Sequence, residues 1–291
     1  MKHQRTPAGR PETESETEEP PRERRVRLNV YLARNGIASR RKADQMIANG
    51  EVFVDGEIVT ELGRRIDPAS QRVEVEGQVL KPEGERQRYY LLYKPAGVVC
   101  TNDLREARPR AIDLVTDRRK GRIYTVGRLD EDTEGLVILT NDGEFANRVS
   151  HPRYEILKTY RIQVRGRVGD ADLAKLREGV RLSDFRSHFE RVKCLRVSDE
   201  RSLLLVTLQE GRNREIRRVF AKLGLPVQRL ARVEIGNLTG RGLKLGEWRT
   251  LGREEVEALL SSSPARGARR PPRKRSSRRF RTPFKRPGRG D

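Results

Sequence analysis

The chain has 291 residues, of which 36% are charged and 34% hydrophobic, and its net charge is +21. This length allows one or two domains, each able to bury a core. The charge favours a polyanionic partner, RNA or DNA before an anionic membrane. A membrane partner is disfavoured because no apolar run approaches about 18 residues, and no charged start followed by an apolar run predicts a signal peptide.

The sequence contains few residues or motifs for metal, thiol or nucleotide-cofactor chemistry. The two cysteines, Cys100 and Cys194, are too few for a disulfide framework or a zinc site. The three histidines, His3, His151 and His188, lie far apart in sequence. No phosphate-binding loop or dinucleotide fingerprint occurs. We therefore predict an enzyme without a metal, a nucleotide cofactor or any other cofactor.

The first folded unit is predicted to begin after residue 25. Residues 1–25 mix Pro, Glu, Thr and Arg without an apolar cluster, which predicts disorder. Residues 26–80 are predicted to form a small domain whose second helix starts at the N-cap Ser39. Arg40, Arg41 and Lys42 occupy the first turn of that helix, where cations oppose the helix dipole. A phosphate-binding site explains these cations better than a solvated helix end.

A hairpin with Asp55-Gly56 at its turn follows, and then a further strand over residues 72–76. The order of two helices and a hairpin, with Ser39-Arg40-Arg41-Lys42 and Gly50-x-Val52-x-Val54-Asp55-Gly56, resembles an S4 RNA-binding domain over residues 26–77. The resemblance implies RNA binding. The alternative is a small basic domain that docks on protein.

The second domain is predicted over residues 86–255, after a polar linker. A buried strand over residues 89–93 ends at Lys94-Pro95-Ala96-Gly97, and the loop over 101–110 carries three arginines that either contact phosphate or are solvated. Further strands are predicted over 136–139, 160–165, 203–208 and 227–233, and helices over 144–149, 171–178, 214–223 and 254–260. These elements predict an α+β fold with a mixed, mostly antiparallel sheet.

The tail, residues 261–291, is arginine-rich and carries +11 of the net charge. Its serine, proline and glycine predict disorder, and its charge predicts sequence-independent contact with RNA. We expect the tail to contribute affinity and not chemistry.

The centre of the second domain is the stretch over residues 125–152. Asp130 lies between Gly127 and Gly135, where the backbone can approach a ligand closely. Its carboxylate is either a nucleophile or base, or a turn residue that accepts backbone N–H groups. Asn141-Asp142-Gly143 predicts a reversal of the chain.

Four sequence blocks, in order, resemble the RsuA/RluB/RluE/RluF family of ribosomal RNA pseudouridine synthases. They span most of residues 28–251, and no single block would suffice. The blocks are Lys94-Pro95-Ala96-Gly97; Gly127-Arg128-Leu129-Asp130-x-Asp132-Thr133-x-Gly135-Leu136 with Thr140-Asn141-Asp142-Gly143 and His151-Pro152; Lys158-Thr159-Tyr160-Arg161; and Glu210-Gly211-Arg212-Asn213-Arg214-Glu215-Ile216-Arg217-Arg218.

The resemblance implies roles for individual residues. Asp130 would be the catalytic carboxylate, acting on an extracted nucleotide either by covalent addition to the sugar or by removal of a sugar proton. Tyr160 would stack on the target uracil, its alternative being an ordinary core tyrosine. Arg217 would pair with Asp130 and keep it ionised. Arg128, Arg212 and Arg214 would contact RNA; the alternative for the arginines of the fourth block is a solvated basic helix.

The fourth block, Arg229-Leu230-x-Arg232 and the basic tail most resemble the RluB branch, which modifies large-subunit RNA. This implies a specific uridine of 23S ribosomal RNA, in free RNA or in ribosomal assembly intermediates, with 16S RNA as the alternative. A non-catalytic RNA-binding assembly factor is a further alternative, and a nuclease or glycosylase is disfavoured for want of a metal cluster or paired carboxylates. We expect a cytoplasmic monomer.

Overall fold

The computed structural model describes residues 25–82 and 85–262. The disorder predicted for residues 1–25 and 261–291 lies outside the described residues, except at residues 25, 261 and 262; Ser261 is the last residue of a helix. Within the described residues, no helix is long and apolar enough to span a membrane.

The N-terminal domain packs two short helices against small sheets. Ser39 caps the second helix, as predicted, by accepting a hydrogen bond of 3.2 Å from the Lys42 amide. Its core joins Leu32, Ala43 and Ile47 to strand residues such as Val52. The elements are β1 (Val26–Arg27), α1 (Leu28–Arg34), α2 (Arg40–Ala48), β2 (Val52–Val54), β3 (Glu57–Ile58), β4 (Arg65–Ile66), β5 (Val73–Val75) and β6 (Gln78–Val79).

The main domain is built on a nine-stranded sheet. Its strands are β7 (Tyr89–Lys94), β8 (Tyr124–Val126), β9 (Glu134–Thr140), β10 (Lys158–Arg165), β13 (Arg191–Val197), β14 (Arg201–Leu208), β15 (Val227–Ile235), β16 (Leu238–Thr239) and β17 (Trp248–Thr250); β11 (Val180–Arg181) and β12 (Arg186–Ser187) form a separate hairpin. The helices are α3 (Ala111–Leu114), α4 (Gly143–Ser150), α5 (Asp170–Glu178), α6 (Glu215–Lys222) and α7 (Arg253–Ser261), with a 3-10 turn at Pro152–Tyr154.

The order of the strands confirms the predicted mixed sheet. The central path runs β13-β14-β10-β15-β9-β7-β17, and its parallel pair is β15 with β9. The larger core packs Ile162, Leu204 and Val206 of the sheet against Val219 and Phe220 of α6. A second core joins β7 and β9 to α4 and α7. The sheet thus presents the ends of β8, β10 and β15 next to α6.

Two local features differ in detail from what the sequence suggested. At Asn141-Asp142-Gly143 the chain passes from β9 into α4, and the Asp142 side chain accepts hydrogen bonds from the amides of Glu144 and Phe145 and caps this helix. Gly135 packs against the backbone of a neighbouring strand. A Cβ atom there would lie 2.2 Å from the backbone oxygen of Arg232, so the glycine allows β9 and β15 to pack closely.

The two domains contact each other beside α4 and the loop before β8. Arg34 of α1 pairs with Glu144, and Arg122 donates a hydrogen bond of 2.7 Å to the carbonyl of Ala38. Ala38 lies immediately before the N-cap of α2. This junction therefore fixes the position of the basic first turn of α2 on the main domain.

Candidate active site

A cleft of about 240 Å³ lies between the turn after β8, strands β10 and β15, and the start of α6. Asp130 stands on its rim, and 38% of its side chain is exposed. The turn that carries it is closed by a hydrogen bond of 3.1 Å from the Thr133 amide to the Asp130 carbonyl. Asp130 thus lines the cleft, and a backbone hydrogen bond closes its turn without the carboxylate.

Arg214 is the cation nearest to Asp130. Its Nη1 atom lies 3.8 Å from Oδ2 of Asp130, and its guanidinium also binds Asp132 through both nitrogens, at 3.3 and 3.0 Å. Arg214 has a φ of 47°, an uncommon conformation for a residue other than glycine. This left-handed turn at the start of α6 directs the arginine toward the two carboxylates.

Arg217 does not pair with Asp130, so the predicted pairing is wrong in this structure. Its Nε lies 3.2 Å from Oδ2 of Asp132, and it donates to the carbonyls of Asp132 (2.9 Å) and Val227 (3.3 Å). Arg217 projects one turn further along α6 than Arg214 and thus reaches the base of the turn. It ties α6, the turn and β15 together, and still lines the cleft.

Asp132 is the residue that these cations hold ionised. Burial on its own raises the pKa of the Asp132 carboxyl, but hydrogen bonds from Arg214 and the charges of Arg217 and Arg214 outweigh burial and lower it. Sequence reasoning gave Asp132 no role, although it belongs to the quoted block. A second carboxylate two residues after Asp130 was the available signal.

Tyr160 lies at the inner side of the cleft and is 8% exposed. Its hydroxyl lies 3.5 Å from Nη1 of Arg232, which is also buried. Arg232 donates through Nε to the carbonyl of Leu136 at 2.7 Å, but its Nη2 has no hydrogen-bond partner among the described residues. The cleft therefore contains a buried, incompletely satisfied cation beside the predicted tyrosine.

Lys158 adds a second cation to this part of the cleft. Its ammonium donates to the carbonyl of Gln209 at 3.3 Å. Burial, and then the positive charge of Arg232, lower the pKa of Lys158 to about 8. No carboxylate of the described residues binds either of these neighbouring cations, which favours an anionic or carbonyl-rich ligand. Sequence reasoning quoted both residues within blocks but assigned neither to the site.

Lys94 binds the backbone of the turn that carries Asp130. It is fully buried and donates to the carbonyls of Pro95 (2.9 Å), Val98 (2.7 Å) and Glu131 (3.4 Å). Burial lowers its pKa. The Gly97 amide also donates to the Glu131 carbonyl at 2.9 Å. The first sequence block thus fixes the backbone next to Asp130 and does not enter the cleft.

The predicted RNA contacts fall into two groups. Arg128 and Arg212 line the cleft with Arg214, and the guanidinium of Arg212 lies 4.4 Å from the ring centroid of Phe185. Arg40, Arg41 and Lys42 are exposed on α2 and lie outside the cleft. Their contacts with RNA stay predictions.

The arginines of the loop over residues 101–110 are already paired within the protein. Arg105 binds Asp103 at 3.0 Å and Arg110 binds Asp113 at 2.8 Å. Arg108 reaches Glu131, next to Asp130, at 2.7 Å. The Arg108–Glu131 pair joins the loop to the turn, and the other two pairs are local, so contact with phosphate is not needed to explain the arginines.

Comparison with known proteins identifies the family. Residues 88–222 match the model for RNA pseudouridylate synthase, and residues 26–73 match that for the S4 domain. Over 238 residues, 80% of this chain and 95% of the relative, the sequence is 44% identical to ribosomal large subunit pseudouridine synthase B of Bacillus subtilis. The chain belongs to the RNA pseudouridylate synthase family.

Other members agree with this assignment. An RNA pseudouridine synthase of Aquifex aeolicus is 38% identical over 86% of this chain and 98% of its own length. A solved pseudouridylate synthase, 31% identical, superposes with a TM-score of 0.57 and covers 80% of this chain and 99% of that one. This pseudouridine synthase is therefore an isomerase, and the predicted S4 domain and catalytic domain are both confirmed.

Proposed function

We propose that this pseudouridine synthase isomerises one uridine of 23S ribosomal RNA, with Asp130 as the catalytic residue and the target nucleotide turned out of its stack into the cleft. The proposal rests on one observation above all: Asp130, Tyr160 and Arg214 converge on a single cleft. The relative from Bacillus subtilis, named for the large subunit, supports the choice of 23S RNA.

The geometry suits the first half of the reaction. Asp130 is exposed enough to meet a ribose, and the guanidinium of Arg214 lies 3.8 Å from its carboxylate. The carboxylate either adds to C1′ or removes a sugar proton. In both cases the bond from N1 to C1′ breaks and its electron pair passes to the uracil.

The cations beside Tyr160 suit the second half. A released uracil carries negative charge on N1 and its carbonyl oxygens, and Lys158 and Arg232 offer positive charge where this base would stack on Tyr160. The base turns within the cleft, C5 bonds to C1′, and the C5 proton is exchanged for one on N1. No atoms are gained or lost, so the steps are balanced without a redox partner.

The proposal includes a monomer acting in the cytoplasm, where ribosomal RNA is made in bacteria. Its substrate is the free 23S RNA or an assembly intermediate. Rates on protein-free 23S transcript and on immature large subunits decide between them.

The test is to replace the chromosomal gene by one encoding Asp130→Asn and to map pseudouridine in 16S and 23S RNA by carbodiimide-dependent reverse-transcription stops. We expect one 23S stop to disappear, and to persist with Asp199→Asn, a control at an exposed aspartate. Persistence in the Asp130 variant, without a compensating paralogue, rejects the catalytic assignment. Loss of a 16S stop instead assigns the enzyme to the small subunit. If ribosomes assemble normally in the catalytically inactive Asp130→Asn variant, the result does not identify a function beyond RNA modification.

A further inference from the structure

The sheet of the main domain has a second face, opposite Tyr160, that is rich in exposed cations. Side chains alternate along a strand, so Arg161 lies on the face that Tyr160 does not occupy. Arg161 pairs in register with Leu205 and Ala231, and Leu205 pairs with Lys193. We call this surface of β13, β14, β10 and β15 the outer face. Its exposed cations are Arg161, Arg165, Arg191, Lys193, Arg196, Arg201 and Arg229.

Most of these cations are not neutralised by the protein. Arg229 binds Glu134 at 3.2 Å, whereas Arg161, Arg191 and Lys193 form no ion pair with any carboxylate of the described residues. Arg161 and Arg229 also border a shallow groove that is lined further by Glu134, Gln163, Leu203 and Ala231. A concentration of unpaired charge on one surface attracts a polyanion.

The chemistry of the outer face favours an RNA double helix over a single strand. Single strands are held by stacking their bases on aromatic rings, whereas double helices are contacted through phosphates and 2′-hydroxyls. The rows that cross the face contain Lys, Arg, Leu, Ala, Gln, Thr and Glu and no aromatic residue. The face can therefore offer charge and hydrogen bonds but no stacking.

The spacing of the cations suits the phosphates of an RNA double helix, which lie on both of its chains. Adjacent strands lie about 4.8 Å apart, which places the Cα atoms of Lys193 and Arg161 about 10 Å apart, and alternate residues such as Arg191 and Lys193 lie about 7 Å apart along β13. Strand β13 is at the edge of the sheet, so no further strand borders the outer face on that side.

We propose that the outer face binds double-helical RNA through its phosphate backbone, as a second RNA site outside the catalytic cleft. This proposal rests on the proposed function only in assuming that the ligand is RNA. It predicts that the enzyme holds a structured substrate on both faces of its sheet.

The first test is amine footprinting of the full chain with a 20-base-pair RNA duplex of arbitrary sequence. Acetylation of Lys193 is followed by mass spectrometry and compared with that of Lys175, an exposed lysine on α5, which packs on the opposite face. We expect the duplex to slow acetylation of Lys193 at least threefold and to leave Lys175 unchanged. Equal rates at Lys193 with and without duplex overturn the proposal. The site-resolved readout separates this face from the basic tail.

The second test compares Arg161→Gln/Arg191→Gln/Lys193→Gln with a control that removes three exposed cations elsewhere, Arg118→Gln/Lys175→Gln/Arg177→Gln. For each variant, the affinity for the duplex is measured over a range of salt concentrations. The slope of log affinity against log salt should become shallower by about two to three in the first variant, and by markedly less in the control. Both should isomerise a short target stem-loop at the wild-type rate, which separates this proposal from the catalytic one. Equal losses in both variants contradict the proposal. Protection of Lys193 by immature subunits but not by duplex RNA assigns the face to a protein partner and also overturns it.

Discussion

Nη1 of Arg232 lies 3.5 Å from the hydroxyl of Tyr160, with both side chains buried at the inner side of the cleft. A buried guanidinium without a carboxylate costs several kcal/mol unless other groups bind it, on the order of what one ion loses on leaving water. Here one carbonyl, that of Leu136, binds Arg232 while Nη2 has no partner among the described residues. The arrangement is therefore suited to a ligand that completes the site.

The first prediction concerns that guanidinium. Arg232→Met keeps the apolar stem and removes the charge, and we expect the single-turnover rate on 23S transcript to fall about 10- to 100-fold, the equivalent of losing one charge-assisted hydrogen bond of roughly 1.5–3 kcal/mol. Arg232→Lys should recover part of the rate. The free energy of unfolding, from urea titration, should change by no more than about 1 kcal/mol because an uncompensated charge is removed. A wild-type rate in Arg232→Met would contradict the role.

The second prediction concerns pH. Burial and the charge of Arg232 lower the pKa of Lys158 to about 8, so the cationic form predominates below that pH and is lost as pH rises through it. If the cation assists the reaction, the single-turnover rate falls on the alkaline side of about pH 8. Lys158→Arg should lack this alkaline limb, since arginine stays protonated. Lys158→Met should be slow throughout.

A matched control tests whether that limb belongs to Lys158. Lys193→Arg makes the same substitution at an exposed lysine on β13, and its profile should follow the wild-type profile. A wild-type rate that stays constant from pH 7 to 9.5 argues against the role, as does an alkaline limb that persists in Lys158→Arg.

Local patterns predicted the main elements well because each carries a short-range signal. Ser39 marks the start of α2, and apolar runs mark β9 and β14. Strand β13 was missed although Arg191-Val192-Lys193-Cys194 alternates polar and apolar residues, because the bulge between Cys194 and Arg196 ends this alternation after four residues. The capping role of Asp142 in the Asn141-Asp142-Gly143 segment was not specified, because aspartate favours a helix N-cap as readily as a turn.

The site was predicted less completely, for a different reason. Asp130 and Tyr160 follow from blocks in the sequence and lie at one cleft. The left-handed backbone conformation of Arg214 decides which arginine lies near Asp130. The spacing of residues along the sequence does not predict this backbone conformation. The burial of Arg232 could have been predicted from the sequence. Side chains alternate along a strand, so Arg232 lies on the same face of β15 as Leu230.

The third prediction separates the two arginines of α6. Arg217 is 15% exposed and contacts three oxygen atoms of the turn and β15, so Arg217→Met should lower the free energy of unfolding by about 2–3 kcal/mol. Arg214 is 46% exposed, so Arg214→Met should cost no more than about 1 kcal/mol while slowing catalysis at least tenfold by removing the cation nearest Asp130. Urea unfolding and single-turnover rates measure both effects. Equal destabilisation by the two substitutions, or a wild-type rate in Arg214→Met, would refute the division of roles.

The fourth prediction concerns Gly135, which allows β9 and β15 to pack closely and so places Arg232 beside Tyr160. Gly135 has a φ of +110°, and an added Cβ would lie 2.2 Å from the Arg232 carbonyl oxygen and 2.5 Å from its nitrogen. Because both atoms belong to a backbone, the strands must separate, and Gly135→Ala should cost about 3 kcal/mol or more in stability together with most of the activity. Gly242→Ala is the matched control: its φ of +82° imposes the same kind of strain, but no atom lies within 4 Å of the added Cβ, so it should cost about 1 kcal/mol and leave the rate unchanged. Thermal unfolding and single-turnover rates distinguish the two, and equal effects would show that backbone conformation, and not the contact between strands, makes glycine necessary at this position.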